Sequence, residues 1–191
     1  MKTAGTYSST LIILCAKHGQ SPIDPTTLKK IPTAALQNAT NVKFAHVTAD
    51  DVALIWLEDP TTANVNQAKK DLLSASSKTG VARILAGSEV YMHGFGDPRL
   101  DPRVPDLVIT VIPGVIYTTS TSKVMEHGGT NPDDLTTALF VHNPNIVAEK
   151  VTERVYTRQI AVTALEALGA PVSELDGAQA DGTVGLPGLG L

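Results

Sequence analysis

Thr10-Leu11-Ile12-Ile13-Leu14-Cys15-Ala16 is an unbroken apolar run, and Lys17-His18-Gly19-Gln20-Ser21-Pro22 ends it. The run does not alternate between apolar and polar positions, and it is rich in branched side chains. That pattern fits a strand covered on both faces, as in a parallel sheet between helices. Open α/β sheets place their ligand sites at such strand ends. His18 stands there, beside a glycine that lets the backbone turn sharply and approach a bound group closely. On the residues alone, His18 is either a loop histidine bonded to backbone or a metal ligand.

The same arrangement returns downstream. Residues 123–134 read K-V-M-E-H-G-G-T-N-P-D-D, with His127 followed by Gly128 and Gly129. Apolar, strand-like runs lie before and after this turn. Two His-Gly turns at strand ends in one α/β chain suggest two walls of one site.

Composition narrows the class. At 191 residues the chain is long enough for one domain with a sizeable core. A hydrophobic content of 42% fits a globular fold. The net charge of −4, with no basic block, gives no footprint for a nucleic-acid duplex or an anionic membrane. Cys15 is the only cysteine, so no disulfide forms within the chain, and its place in an apolar run predicts burial. Residues 1–9 are too polar to read as a leader peptide. No apolar run approaches the roughly 18 residues that span a bilayer.

Two further long apolar runs, 107–112 and 136–142, are expected to join 10–16 in a mostly parallel core sheet. Residues 24–93 read differently. Asp24-Pro25 predicts a short helix to about residue 30. Segments 43–47 and 52–57 predict a strand pair joined by a turn at 48–51. A helix is expected from Asp59 to about Ser77, carrying the stripe Val65, Ala68, Leu72 and Leu73. Short strands are expected at 82–86 and 89–92. This part therefore reads as a small α+β insertion standing apart from the main sheet. Arg99 and Arg103 could meet a phosphate, but pairing with Asp97, Asp101 or Asp106 is the simpler reading. A helix is expected from about 152–157 to Leu168, ended by Gly169.

Several of these segments resemble one family. A-K-H-G-Q-S-P-I-D at 16–24 and E-H-G-G at 126–129, each with its strand, are similar to type I phosphodiesterases/nucleotide pyrophosphatases of the alkaline phosphatase superfamily. The segment D-P-R-V-P-D-L-V-I-T-V-I-P-G-V-I-Y-T at 101–118, L-G-A-P at 168–171 and L-P-G-L at 186–189 agree with it. The resemblance implies an α/β fold, the C-terminal part of an alkaline-phosphatase-like three-layer sandwich. Residues 1–23 and 94–191 would form that core, and 24–93 a cap-like α+β insertion. It implies a metal-dependent hydrolase of small phosphate esters, with a divalent metal pair, two zinc ions in the complete enzyme. His18 matches a ligand of one metal and His127 a ligand of the other.

One departure stands out. Many relatives carry Asp-His-Gly where this chain has Lys17-His18-Gly19. A protonated lysine cannot ligate a cation, so Lys17 is expected to hold a phosphate oxygen, or the second metal site is altered. The family's Thr or Ser nucleophile and several Asp and His ligands precede the motif at His18. The chain alone is thus expected to be catalytically incomplete. A non-catalytic product that binds a metal or partner stays open, as does a phosphate-moving isomerase or transferase of the same superfamily. Without its neighbour, strand 10–16 is also expected to leave a free edge and promote self-association.

Overall fold

A computed structural model describes residues 1–190. Its strands, in chain order, are β1 (Ile12–Cys15), β2 (Lys29–Ile31), β3 (Phe44–Ala49), β4 (Val52–Leu57), β5 (Val81–Ala86), β6 (Leu107–Val111), β7 (Val115–Tyr117) and β8 (Leu139–His142). Its helices are α1 (Ala34–Gln37), α2 (Thr62–Ser74), α3 (Ser76–Thr79), α4 (Ser88–Met92), α5 (Pro132–Leu135), α6 (Gln159–Leu168) and α7 (Asp176–Asp181). They fall into two compact units: His18–Thr136, and Met1–Lys17 together with the chain from Thr137 onward. Among the described residues no helix is long and apolar enough to cross a membrane.

The unit His18–Thr136 is built on a four-stranded sheet of order β3-β4-β6-β5. Every pairing in it is antiparallel. A separate parallel pair joins β2 to β7. Along β4 burial alternates: Ala53, Ile55 and Leu57 are buried, while Val52, Leu54 and Trp56 are half-buried. That is the period-2 pattern of a strand with one face on a core. The core also takes Ala68 and Leu72 from α2, Ile84 from β5 and Leu107 and Ile109 from β6. Val108 points the other way, into a smaller cluster with Leu85, Val90 and Val104. Each branched side chain fully buried there contributes roughly 1.5–3 kcal/mol relative to exposure.

These pairings correct the expected architecture. Among the described residues, strand β6 is not in one sheet with β1: β1 pairs only with β8, antiparallel, in a two-stranded ribbon. The core sheet is antiparallel rather than mostly parallel. Residues 24–93 do not stand apart either, because β4 and β5 flank β6 on its two edges. The physical reason is the same for both. A continuous apolar run reports burial on both faces, which β6 has, but it carries no information about strand direction. Cys15 is exposed rather than buried, because β1 lies in a ribbon of two strands and not in a sheet interior.

Local chemistry explains smaller differences. Asp24 does not start a helix; its carboxylate accepts from the Thr26 N–H at 2.8 Å, closing a turn that leads into β2. Helix α2 starts at Thr62, capped by the Thr61 hydroxyl oxygen, which accepts from the Asn64 N–H at 3.3 Å. Residues 88–92 form α4 instead of a strand, held by the Lys69–Glu89 and Arg83–Glu89 ion pairs beside it. The hairpin of β3 and β4 is as expected. Helix α6 ends at Gly169, whose φ of 63° is the left-handed C-terminal stop.

The unit with both chain termini contains the β1–β8 ribbon and α6. Leu14 and Phe140 are cross-strand partners and are 64% and 63% exposed. His142, at the end of β8, is hydrogen bonded to the Tyr7 hydroxyl at 2.6 Å.

Candidate functional site

Both His-Gly turns lie in the unit His18–Thr136, and the fold brings them together. The turn after His18 is tied to the stretch around His127 by three links. The Gly19 N–H donates to the Asp134 carbonyl at 2.8 Å. The Ser21 N–H donates to Asp134 Oδ1 at 2.9 Å. Ser21 also forms an isolated antiparallel bridge with Glu126. Glu126 is buried and ion-paired with Lys123.

Glycine is required at two of these positions. A Cβ on Gly19 would sit 1.8 Å from the Asp133 carbonyl oxygen and 2.7 Å from that of Thr136. A Cβ on Gly129 would meet Asp134 Oδ2 at 2.8 Å and Asp51 Oδ1 at 3.1 Å. The turn E-H-G-G is therefore glycine-rich for close approach to protein groups, in addition to the φ of 104° at Gly128.

The result is a stacked pair of imidazoles. The His18 and His127 ring centroids are 3.7 Å apart and the planes differ by 21°. His18 Nδ1 is 2.6 Å from the Gly19 carbonyl oxygen. A carbonyl only accepts, so Nδ1 carries the proton and Nε2 keeps the lone pair. The expected backbone bond of His18 and its availability as a ligand are thus compatible: the first orients the second.

Beneath the glycine pair lies a pair of carboxyls, one of which, Asp134, stands close to His127 in sequence and reads there as either a partner of that histidine or part of a solvated loop. Asp51, at the β3–β4 turn, is 5% exposed, and Asp134, in α5, is 4% exposed. Their carboxyls meet at Gly129. Asp134 Oδ2 accepts from Asn131 Nδ2 at 3.3 Å. Neither Asp51 oxygen has a hydrogen-bond partner of ordinary geometry, and the Ser21 hydroxyl is also buried without one. Burial, then the facing Asp134 carboxyl, push the Asp51 carboxyl up to about 6. In sequence Asp50-Asp51 reads as part of a hairpin turn, and nothing local to it signals burial.

The remaining candidates are engaged elsewhere. Lys17 closes the other unit and is exposed. Arg99 and Arg103 pair with Asp97 at 2.6 Å and Asp101 at 2.7 Å, the simpler of their two readings, and hold both carboxyls down at about 2. A cleft of about 550 Å³ lined by Pro60, Lys69, Ser88, Arg99 and Asp106 carries no free cation, since Lys69 is paired with Glu89.

Zinc needs three or four protein ligands in a structural or catalytic site. Among the described residues no group of three or more His, Cys, Asp or Glu side chains converges to hold a metal. His18 and His127 are therefore a partial donor set that does not by itself fit a catalytic zinc site.

No protein-family model matches the chain, and no curated protein matches it in sequence. Solved structures do. Human ectonucleotide pyrophosphatase/phosphodiesterase 5 matches with a TM-score of 0.53 at 14% identity, over 75% of this chain and 36% of that one. The murine protein of the same name matches with a TM-score of 0.52 at 14% identity and the same coverage. The chain is thus a mixed α/β protein that resembles part of the fold of a nucleotide pyrophosphatase/phosphodiesterase. It spans about a third of the length of those structures.

Proposed function

We propose that this chain supplies one wall of a metal-dependent phosphoric-ester hydrolase site, with His18 and His127 as ligands to a pair of zinc ions. The stacked imidazoles carry this reading. A lone pair on imidazole nitrogen lies in the ring plane. Two nearly parallel rings with centroids 3.7 Å apart hold those lone pairs side by side, so they cannot converge on one tetrahedral ion. Bridged catalytic metal pairs are about 3.5–4 Å apart, which matches one ring per ion. When bound, such a pair neutralises charge on phosphoryl oxygens.

The chain's own residues orient and position. The Gly19 carbonyl fixes the His18 tautomer, and Asp134 locks the two turns together. Lys17, next to His18 in sequence, is the proposed contact to a phosphate oxygen of a small-molecule ester. On this reading the nucleophile and the remaining carboxylate ligands would be supplied by other polypeptide. The free edges of the β1–β8 ribbon, with Leu14 and Phe140 exposed, would promote self-association until they are covered.

The test is release of p-nitrophenol from mono- and diester substrates, with and without zinc. The 191-residue chain alone is expected to bind zinc weakly and to show no turnover. Joined to the N-terminal half of a family member it is expected to hydrolyse esters, and H127A to abolish that. Robust, chelator-sensitive turnover by the chain alone would overturn the expectation that it is inactive by itself.

A further inference from the structure

We propose that the Asp106 carboxylate anchors a small organic ammonium ion, a primary amine on an apolar body, in the cleft between Trp56 and the proline-rich loop that precedes β6.

Asp106 stands at the foot of β6, and β4 fixes its place. Its N–H donates to the Ile55 carbonyl at 2.9 Å, and its Oδ2 accepts from the Leu57 N–H at 2.8 Å. Among the described residues no second donor reaches the carboxylate. The residue is 8% exposed and lines two adjoining clefts, of about 550 and 210 Å³, which share it with Pro60, Pro98 and Arg99. A carboxylate so far out of water is costly without a cation. The nearby cations are committed elsewhere: Lys69 to Glu89, Arg99 to Asp97 and Arg103 to Asp101. Burial accordingly pushes the Asp106 carboxyl up, opposed only by the Leu57 N–H. Asp97 and Asp101, each with its arginine, are held at about 2. Asp106 is thus an uncompensated negative group on the wall of an open cleft, and its complement is a cation that a ligand brings.

The walls define the rest of the ligand. One carboxylate offers too few oxygens for a hard metal ion, which takes six or more. An ammonium needs only an acceptor for its N–H and a surface for its stem. The smaller cleft supplies that surface with Trp56, Leu57, Pro60, Pro98 and Pro102. The half-buried indole of Trp56 stacks an apolar body and attracts a cation over its face. A space of about 210 Å³ admits one ring on a short stem. Carboxylate or phosphate ligands would meet Asp106 with like charge. Nothing in this site uses His18 or His127, so the inference does not depend on the imidazoles ligating anything.

Trp56 is the only tryptophan in the chain, so its fluorescence reports occupancy of the cleft. The experiment titrates the chain with phenethylamine at pH 7.5, and in parallel with its uncharged counterpart phenethyl alcohol. A saturable change in emission is expected for the amine, with the alcohol bound at least about tenfold more weakly. D106N keeps an oxygen for the Leu57 N–H but removes the charge. It should lose about tenfold or more in amine affinity and bind the alcohol as the wild type does. H18A/H127A should bind the amine unchanged, which separates this site from the zinc proposal. If D106N does not fold, the amine–alcohol ratio of the wild type and the loss of amine binding on acidification decide. No saturable change with the amine, equal affinity for the alcohol, or full amine affinity in D106N would overturn the proposal.

Discussion

His18 and His127, 109 positions apart in the chain, lie face to face with ring centroids 3.7 Å apart. Neither ring is placed by its own strand alone. Asp134 brings them together, accepting one N–H at its carbonyl and another at its carboxylate.

Gly19 is the tightest point of that junction, so G19A should separate the rings. An added methyl 1.8 Å from the Asp133 carbonyl oxygen must displace backbone. A loss of about 1–3 kcal/mol is expected, the usual cost of overpacking. The NMR shifts of both imidazoles should move together as their ring currents decouple. Unchanged shifts on both rings would contradict the stacking.

Asp51 gives stability a pH dependence in metal-free buffer. Its carboxyl is raised from 3.8 to about 6 by burial and by Asp134. Between those values the folded chain keeps a proton that the unfolded chain has lost. Stability therefore falls as pH rises through that window, and the loss is complete above about 6. It should amount to about 1–2 kcal/mol after screening. Urea titrations at pH 4.5 and pH 8 should show the drop in wild type and little of it in D51N.

Ile109 tests the antiparallel core. It is fully buried in the central strand β6. I109A should cost about 2–5 kcal/mol in chemical denaturation. By contrast L100A, at a residue 83% exposed, should stay within about 0.5 kcal/mol of wild type.

Leu14 and Phe140 test the ribbon. Sedimentation should show concentration-dependent association of the wild-type chain. L14K/F140K should be monomeric over the same range, because charge on a strand face and edge blocks pairing. A wild type that stays monomeric at high concentration would dismiss the proposed self-association.

Much of the local structure was legible in the chain. The hairpin of β3 and β4, the part of the α2 stripe at Val65, Ala68 and Leu72 (Leu73 is exposed) and the glycine stop after α6 follow from periodicity and turn chemistry, which act within a few residues. The two His-Gly turns were visible as a repeated pattern, because glycine beside histidine at a strand end is a local signature. Burial of residues 107–109 on both faces was legible too, since apolar side chains tolerate it best.

What the tertiary structure alone decided is direction and depth. An apolar run reads the same whether its neighbours run parallel or antiparallel, so the placement of β6 between β4 and β5 had no signal in it. Leu14 and Cys15 were apolar enough for a core, yet they are exposed, because exposure depends on how many strands flank β1. Asp51 is the converse. Its neighbours in sequence mark a hairpin turn, and it is buried because the distant Gly128-Gly129 pair and Asp134 close over it. Contacts between residues far apart in the chain set desolvation, and desolvation sets the carboxyl's protonation.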